Sequence, residues 1–400
     1  MNALRLTFAQ LARRPLQTAL VVVLLGLGVA TLLALTVARA QFAQQLTRDA
    51  RGIDLVVGVK GSPLQLILAT LYHVDVPSGN VPLAALPALR AHKLVRQAIP
   101  VSLGDNLRGF RIIGTEPAFV AHYSGELREG RLWDNKMQAV IGADVAQATR
   151  LRPGDRFFGT HGLAADGFMH EDAEYQVVGV LRPTGTVLDR LVLTDLASVW
   201  FTHEGEVKDA EELKVLQAER EVTAILVQYA SPLAAAMLPR QINADPKLMA
   251  AVPAAELARL FAVVGVGVEI MRVFALVLVA SSLLVLFVAL MNALEERRYD
   301  FAVLRLLGSS RARVASLLLI ETWTLGAAAI VLGCLLAALT LAVASHWLAQ
   351  ARSFVLSPWA LVTDAWWVPL AAIGVTTAAA LLPMWRVGRM SLHQTLAEGR

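Results

Sequence analysis

What the sequence has least of is charge. Asp, Glu, Lys and Arg make up 17% of its 400 residues, against about 25% in an ordinary soluble domain. With 56% hydrophobic residues and a mean hydropathy of +0.56, that shortage excludes a purely soluble globule and points to an integral membrane protein. Cysteine is almost absent. Cys334 stands alone inside an apolar run, which excludes an intrachain disulfide framework and leaves the redox compartment open. Three catalytic signatures are also missing. No HExxH, no GxSxG and no glycine-rich loop ending in Lys-Ser/Thr occurs, so nothing in the sequence supports catalysis by this chain itself.

What is present is four apolar runs. The first span is placed at residues 17–38, the second at 270–294, the third at 314–346 and the fourth at 365–385. Each is long enough to cross a bilayer. The first exceeds the apolar core of a signal peptide, so it is expected to remain as an anchor, although "ARA" at Ala38–Ala40 has the small-x-small look of a cleavage site. The third is longer than the hydrocarbon core needs and contains one acid, Glu321. An intramembrane acid is a functional candidate by default; here a structural interhelical contact is the expectation, since nothing suggests an ion path. Gly326 and Gly333 would let helices approach closely.

The orientation follows from the basic residues beside these runs. The N-terminus (residues 1–16), the loop 295–313 and the tail 386–400 together hold 11 arginines and four acids, a net of +7. Residues 39–269 are acidic on balance, and the short loop 347–364 has only Arg352. Both termini and the arginine loop are therefore expected in the cytoplasm, and residues 39–269 outside. This asymmetry accounts for the basic charge by topology, with no need of nucleic acid. Within residues 1–16, Leu4, Phe8 and Leu11 form an apolar stripe flanked by arginines. The stripe suits an amphipathic helix in the inner interface, with a cytoplasmic extension of the first span as the alternative.

Residues 39–269 read as an α+β domain. Polar residues after Arg39 suggest a stalk continuing the first span. "IDLVVGVKGSP", "FRIIGTEPAF", "QAVIGADVA", "YQVVGVL", "RLVLTDLA" and "EVTAILVQYA" read as strands broken by Gly, Pro and Asp. Residues 84–92 and 232–243 read as helices. Two stretches carry imidazole and carboxylate: His161, His170, Glu171 and Asp172, and His73 with Asp75. Neither has an established ligand spacing, so solvated loop residues are expected rather than a metal site.

The loop 295–313 is the densest burst of charge. Asp300 can cap a short helix over "FAVLRLL", Gly308 can end it, and Phe301, Leu304 and Leu307 share roughly one face. Such a ridge can dock into a groove on a partner; the plainer alternative is a helix on the membrane surface, held by arginines.

This loop resembles the cytoplasmic loop of the FtsX/MacB-type ABC transporter permeases, on Glu296, Arg297, Asp300, Ala302, Leu304, Arg305, Leu306, Gly308 and Ser309. The likeness continues in "LLLIETWTLGAAAIVLG" and "LLPMWRVGRMSLHQTLAEG", and within the outside domain in "IIGTEPAF" and "GRLWDNKMQAVIGADVA". The arrangement of one span, a large outside domain and three further spans also matches. The outside domain is larger than in the simplest FtsX pattern.

The resemblance implies four transmembrane helices in a one-plus-three order around a MacB-like α+β periplasmic domain. It implies a mechanotransmission-type permease subunit of the bacterial inner membrane without a fused ATPase. The expected partners are two copies of an ABC ATPase subunit, a second permease that is identical or different, and membrane lipid; there is also room for a periplasmic or lipoprotein partner. ATP and magnesium would sit on the ATPase, and none is expected on this chain. Glu296, Arg297, Asp300, Phe301, Leu304, Arg305, Leu307 and Gly308 would form the ATPase-coupling loop. Two other readings stay open: an FtsX-like transmembrane regulator of a periplasmic partner, and a metal-handling membrane protein using the outside histidines.

Overall fold

The structure, a computed structural model, describes residues 11–160, 169–204, 219–299, 308–350 and 356–389, with 216, 303 and 306; of residues 169–172, 203–204, 349–350 and 387–389 it describes the backbone alone. The chain divides into two compact units. One comprises Met1–Gln41, Val264–Trp347 and Val355–Arg400, the other Phe42–Val263 and Leu348–Phe354.

The first unit is helical. Four helices are long and apolar enough to cross a membrane: α1 (Pro15–Asp49), α8 (Pro253–Glu296), α9 (Arg311–Gln350) and α11 (Trp367–Arg389). Short α10 (Ala360–Asp364) precedes the last. Proline opens α1 and α8, where its missing N–H costs no intrahelical bond. The helices pack through one apolar cluster that includes Val21 of α1, Leu286 and Leu290 of α8, Leu318 and Leu325 of α9, and Ala380 of α11.

Small residues set how closely these helices approach. A Cβ on Gly333 of α9 would lie 2.8 Å from Val29 Cγ1 and 3.0 Å from the Gly26 carbonyl, and one on Gly28 would meet Val279 of α8 at 2.7 Å. Gly326 faces Thr376 of α11. Backbone contact of this kind lets dispersion hold helices together where lipid offers no hydrophobic gradient.

The second unit is α+β. Its main sheet runs in the order β12-β1-β11-β3-β4-β9-β6-β8-β5, with β7 bridging β3 and β8. These strands are β1 (Leu55–Val59), β3 (Val95–Leu107), β4 (Phe110–Thr115), β5 (Leu127–Gly130), β6 (Gln138–Ile141), β7 (Arg156–Thr160), β8 (Met169–Leu181), β9 (Leu191–Asp195), β11 (Ala224–Tyr229) and β12 (Leu248–Ala251). β2 (Val81–Pro82) and β10 (Glu221–Val222) pair separately. Most pairs are antiparallel, but β4–β9 and β6–β8 are parallel.

Both faces of this sheet are covered, so β4 is buried on every residue and β6 on all but Gln138, rather than alternately. On one face Val56, Ile99, Ile113, Val140 and Leu226 pack under α2 (Pro63–Thr70) and α4 (Pro117–His122). On the other, Leu55, Val57 and Ile225 meet α3 (Ala85–Ala91) and α7 (Pro232–Asn243). A third cluster joins Ile112, Ile141 and Val192 to Val145 of α5 (Ala143–Thr149). Helix α6 (Leu196–Glu204) completes the layer against β3 and β4.

Gly142, which caps α5, is held at van der Waals limits. An added Cβ would lie 2.1 Å from the Leu188 carbonyl oxygen and 2.4 Å from that of Asp189. Neither oxygen can swing away as a side chain could. Gly142→Ala is therefore expected to destabilise this unit by about 3 kcal/mol. Urea unfolding of the full chain in detergent would read it; an unchanged midpoint would show that the approach is not tight.

Candidate functional site

The loop between α8 and α9 is flanked by ion pairs among three helices of the first unit. Glu296, the last residue of α8, pairs with Arg14 beside the start of α1. The next residue, Arg297, places Nη1 3.6 Å from Glu321 Oε2 on α9. Glu321 is nearly enclosed, its side chain 11% exposed. A carboxylate at such depth needs a cation close by, because apolar surroundings strengthen an ion pair and penalise an orphan charge. The partner is the residue just after α8, so Glu321 ties α9 to the end of α8. Together the two pairs bind the loop ends of α1, α8 and α9.

Glu321→Leu is expected to loosen this bundle by about 1–2 kcal/mol, with Glu321→Gln losing less because the amide still accepts a hydrogen bond. Thermal unfolding in detergent would measure it. A Leu variant as stable as the parent would show that the tie contributes nothing.

Within the loop, Gly308 adopts φ +92°, the left-handed conformation that suits a residue just past a helix end. Val303 and Leu306 are helical, and Leu306 is 61% exposed. Asp300, Phe301, Leu304, Arg305 and Leu307 lie outside the described residues, as does the amphipathic stripe at Leu4 and Phe8.

The second unit receives the ends of two spanning helices in its core. Leu46 of α1 and Leu257 of α8 belong to the same buried cluster as the sheet. Phe42 and Phe261 meet edge to face, with centroids 6.1 Å apart. Asp49, the last residue of α1, is 1% exposed and bonds to Arg190 Nη2 at 3.0 Å. Gln45 Nε2 donates to its other oxygen at 3.0 Å. Tyr123 donates its hydroxyl to the Asp49 carbonyl at 2.7 Å, and Tyr72 donates to the Leu46 carbonyl at 3.1 Å. Thus two carbonyls of the last turn of α1 accept tyrosine hydroxyls of the domain, that of Leu46 in addition to the Ala50 N–H. Burial pushes the Tyr123 phenol far above its ordinary range, so it stays a donor.

Sequence reasoning missed this anchor. Asp49 is an ordinary acid in a polar stretch, and its partner lies 141 positions away. Arg14 was read as a topology signal, and its pairing with Glu296 carried no sequence mark.

Of the histidines in the second unit, His73 can be followed in detail. His73 is buried with φ +58°, and burial together with the charges of Arg111 and Arg190 pushes its imidazole down to about 3. The same arginines repel a metal cation. Asp75 offers its carbonyl to Arg111 Nη2 at 2.9 Å. His161 lies outside the described residues, as do the side chains of His170, Glu171 and Asp172, whose backbone belongs to β8. Among the described residues no three His, Cys, Asp or Glu form a group able to hold a metal.

Comparison with known proteins covers both units. Residues 18–245 match the MacB-like periplasmic core domain family, and residues 272–392 match the FtsX-like permease C-terminal family. Two solved structures are similar to part of the chain. The periplasmic region of MacB from Actinobacillus actinomycetemcomitans is 11% identical with a TM-score of 0.34, covering 54% of this chain and 98% of its own. The extracellular domain of the noncanonic ABC-type transporter YknZ from Gram-positive bacteria is 12% identical with a TM-score of 0.29, covering 49% and 98%. No curated protein sequence matches the chain.

Proposed function

Because this chain belongs to the FtsX/MacB-like ABC transporter permeases, we propose that it is the subunit through which a separate ATPase drives its periplasmic domain. One observation carries the reading: a single chain matches the periplasmic core family and then the permease family in that order. ATP hydrolysis is assigned to the partner, which holds ATP and magnesium.

In this reading both termini and the loop 295–313 face the cytoplasm of a bacterial inner membrane, as the arginine asymmetry favours. The apolar ridge read from the sequence, Phe301, Leu304 and Leu307, docks on the ATPase. The Arg14–Glu296 and Arg297–Glu321 pairs make the loop and three helix ends move together. Helices α1 and α8 are the transmitting elements. Each is unbroken, α1 over Pro15–Asp49 and α8 over Pro253–Glu296, and a hydrogen-bonded helix resists bending far better than a loop. Motion entering at the loop leaves at Asp49 and Leu257, inside the periplasmic core.

A second permease, identical or different, completes the assembly. The exposed apolar side chains of α8, including Val266, Ile270, Val273 and Phe274, give it a surface that lipid or a partner helix must cover. The substrate would be moved or extracted at the outer side of the membrane. Affinity purification of the tagged chain from its native membrane, followed by mass spectrometry, tests the assignment. A co-purifying nucleotide-binding subunit is the expected result; recovery of the chain with no ATPase under conditions that keep membrane complexes intact would refute it.

A further inference from the structure

The periplasmic domain contains an open cavity of about 570 Å³ whose wall is cationic. Arg48 at the end of α1, Arg51 in the following turn and Arg182 after β8 all line it. Three guanidinium groups face one carboxylate, that of Glu126. Arg182 Nη1 lies 3.9 Å from Glu126 Oε2, with side chains 62% and 75% exposed. Such a surface pair holds weakly and yields to a better anion. Arg48 reaches only the neutral Gln44 amide, at 3.4 Å. Among the described residues, no carboxylate pairs with Arg48 or Arg51.

The rest of the wall is fixed and neutral. His122 Nε2 lies 2.8 Å from the Arg51 carbonyl, so it carries the proton and donates. Nδ1 is then left to accept from Gln228 Nε2 at 3.0 Å. Burial lowers the affinity of this imidazole for a second proton. Gly52, at φ +76°, turns the chain beneath His122, and a Cβ there would lie 2.9 Å from the ring. Thr184 and Thr186 bond to each other at 2.7 Å, and Thr184 donates to Asp189 at 2.9 Å. The same Asp189 accepts the Gly185 N–H at 2.7 Å. The rim is therefore built, and among the described residues the guanidinium groups and the Ser124 hydroxyl keep donors to spare at the cavity.

Guanidinium forks match the oxygens of phosphate and carboxylate, and three of them around one space exceed what a single carboxylate can use. The volume is also that of a small-molecule site and far larger than one free phosphate needs. We propose that this cavity binds a phosphate ester, with Arg48, Arg51 and Arg182 on the phosphoryl oxygens and the organic remainder filling the volume beside Ser124 and Gln228. The ester is either a soluble molecule or a lipid headgroup; the phosphoryl chemistry is common to both. This assignment does not depend on the ATPase.

The test uses the full chain in nonionic detergent. One arm titrates sn-glycerol 3-phosphate by calorimetry. The other follows retention of phosphatidylglycerol from mixed micelles by native mass spectrometry. Saturation by glycerol 3-phosphate assigns a soluble ester; retention of the lipid alone assigns a headgroup. In either case Arg51→Gln with Arg182→Gln is expected to weaken binding about tenfold for each arginine removed. Arg152→Gln, on an exposed residue outside the cavity wall, leaves it unchanged. Absence of binding in both arms, or equal binding by the double variant and the parent, overturns the proposal. Both results are independent of ATPase capture, so this site and the permease reading can fail separately.

Discussion

Asp49→Ala is expected to destabilise the periplasmic domain by about 3–5 kcal/mol, the usual cost of removing one member of a buried ion pair. Asp49 is 1% exposed, and the Arg190 side chain opposite it is 13% exposed. Alanine would leave that guanidinium buried without its countercharge and would strip Gln45 of an acceptor. The loss comes from the orphaned charge rather than from the pair's net attraction, because desolvation offsets most of that attraction. Asp49→Leu combined with Arg190→Met is therefore expected to recover most of the stability. Urea unfolding of the full chain in detergent, followed by tryptophan fluorescence, would compare the three proteins. Equal midpoints for Asp49→Ala and the parent would show that α1 is not anchored by this pair. The functional corollary is specific: a domain that keeps its fold in the double variant but holds α1 less firmly should respond less to the ATPase.

Leu304→Glu is expected to abolish recovery of the ATPase with the tagged chain, a fall of about tenfold or more. A buried apolar anchor at the centre of a contact carries much of its energy, and a charge placed there adds a desolvation cost. Unfolding of the periplasmic domain should not change, since the substitution lies in the loop 295–313. Arg298→Gln serves as the comparison: it removes one loop charge but no ridge residue. Normal ATPase recovery by Leu304→Glu would sink the docking assignment while leaving the four-helix topology intact.

The spans were legible in the sequence because apolar runs without charge have one physical outlet. Helix α1 continues to Asp49, along the stalk read from the polar residues after Arg39. The start of α8 at Pro253 carried no comparable mark. The strands read from β-branched runs lie in β1, β4, β6, β8, β9 and β11. The sheet order was not legible, since the parallel pairs β4–β9 and β6–β8 join segments far apart in the chain. For the same reason the cavity arginines looked like scattered surface charge: Arg48 and Arg182 line one cavity only once the chain is folded. Glu321 was legible as an unusual residue by its place in an apolar run. Its partner Arg297 could be named only from three dimensions, because Arg311 and Arg313 are nearer in sequence.

The ATPase cycle of the partner is expected to enter at the loop 295–313 and to be carried along α1 to the periplasmic domain. A spin label at Thr47, exposed near the end of α1, would report it directly by pulsed distance measurement between the two permeases of the assembled complex. The account predicts that the distance distribution shifts between the nucleotide-free complex and one trapped with ATP, and that Leu304→Glu removes the shift. An identical distribution in both nucleotide states, in a complex that hydrolyses ATP, would contradict it.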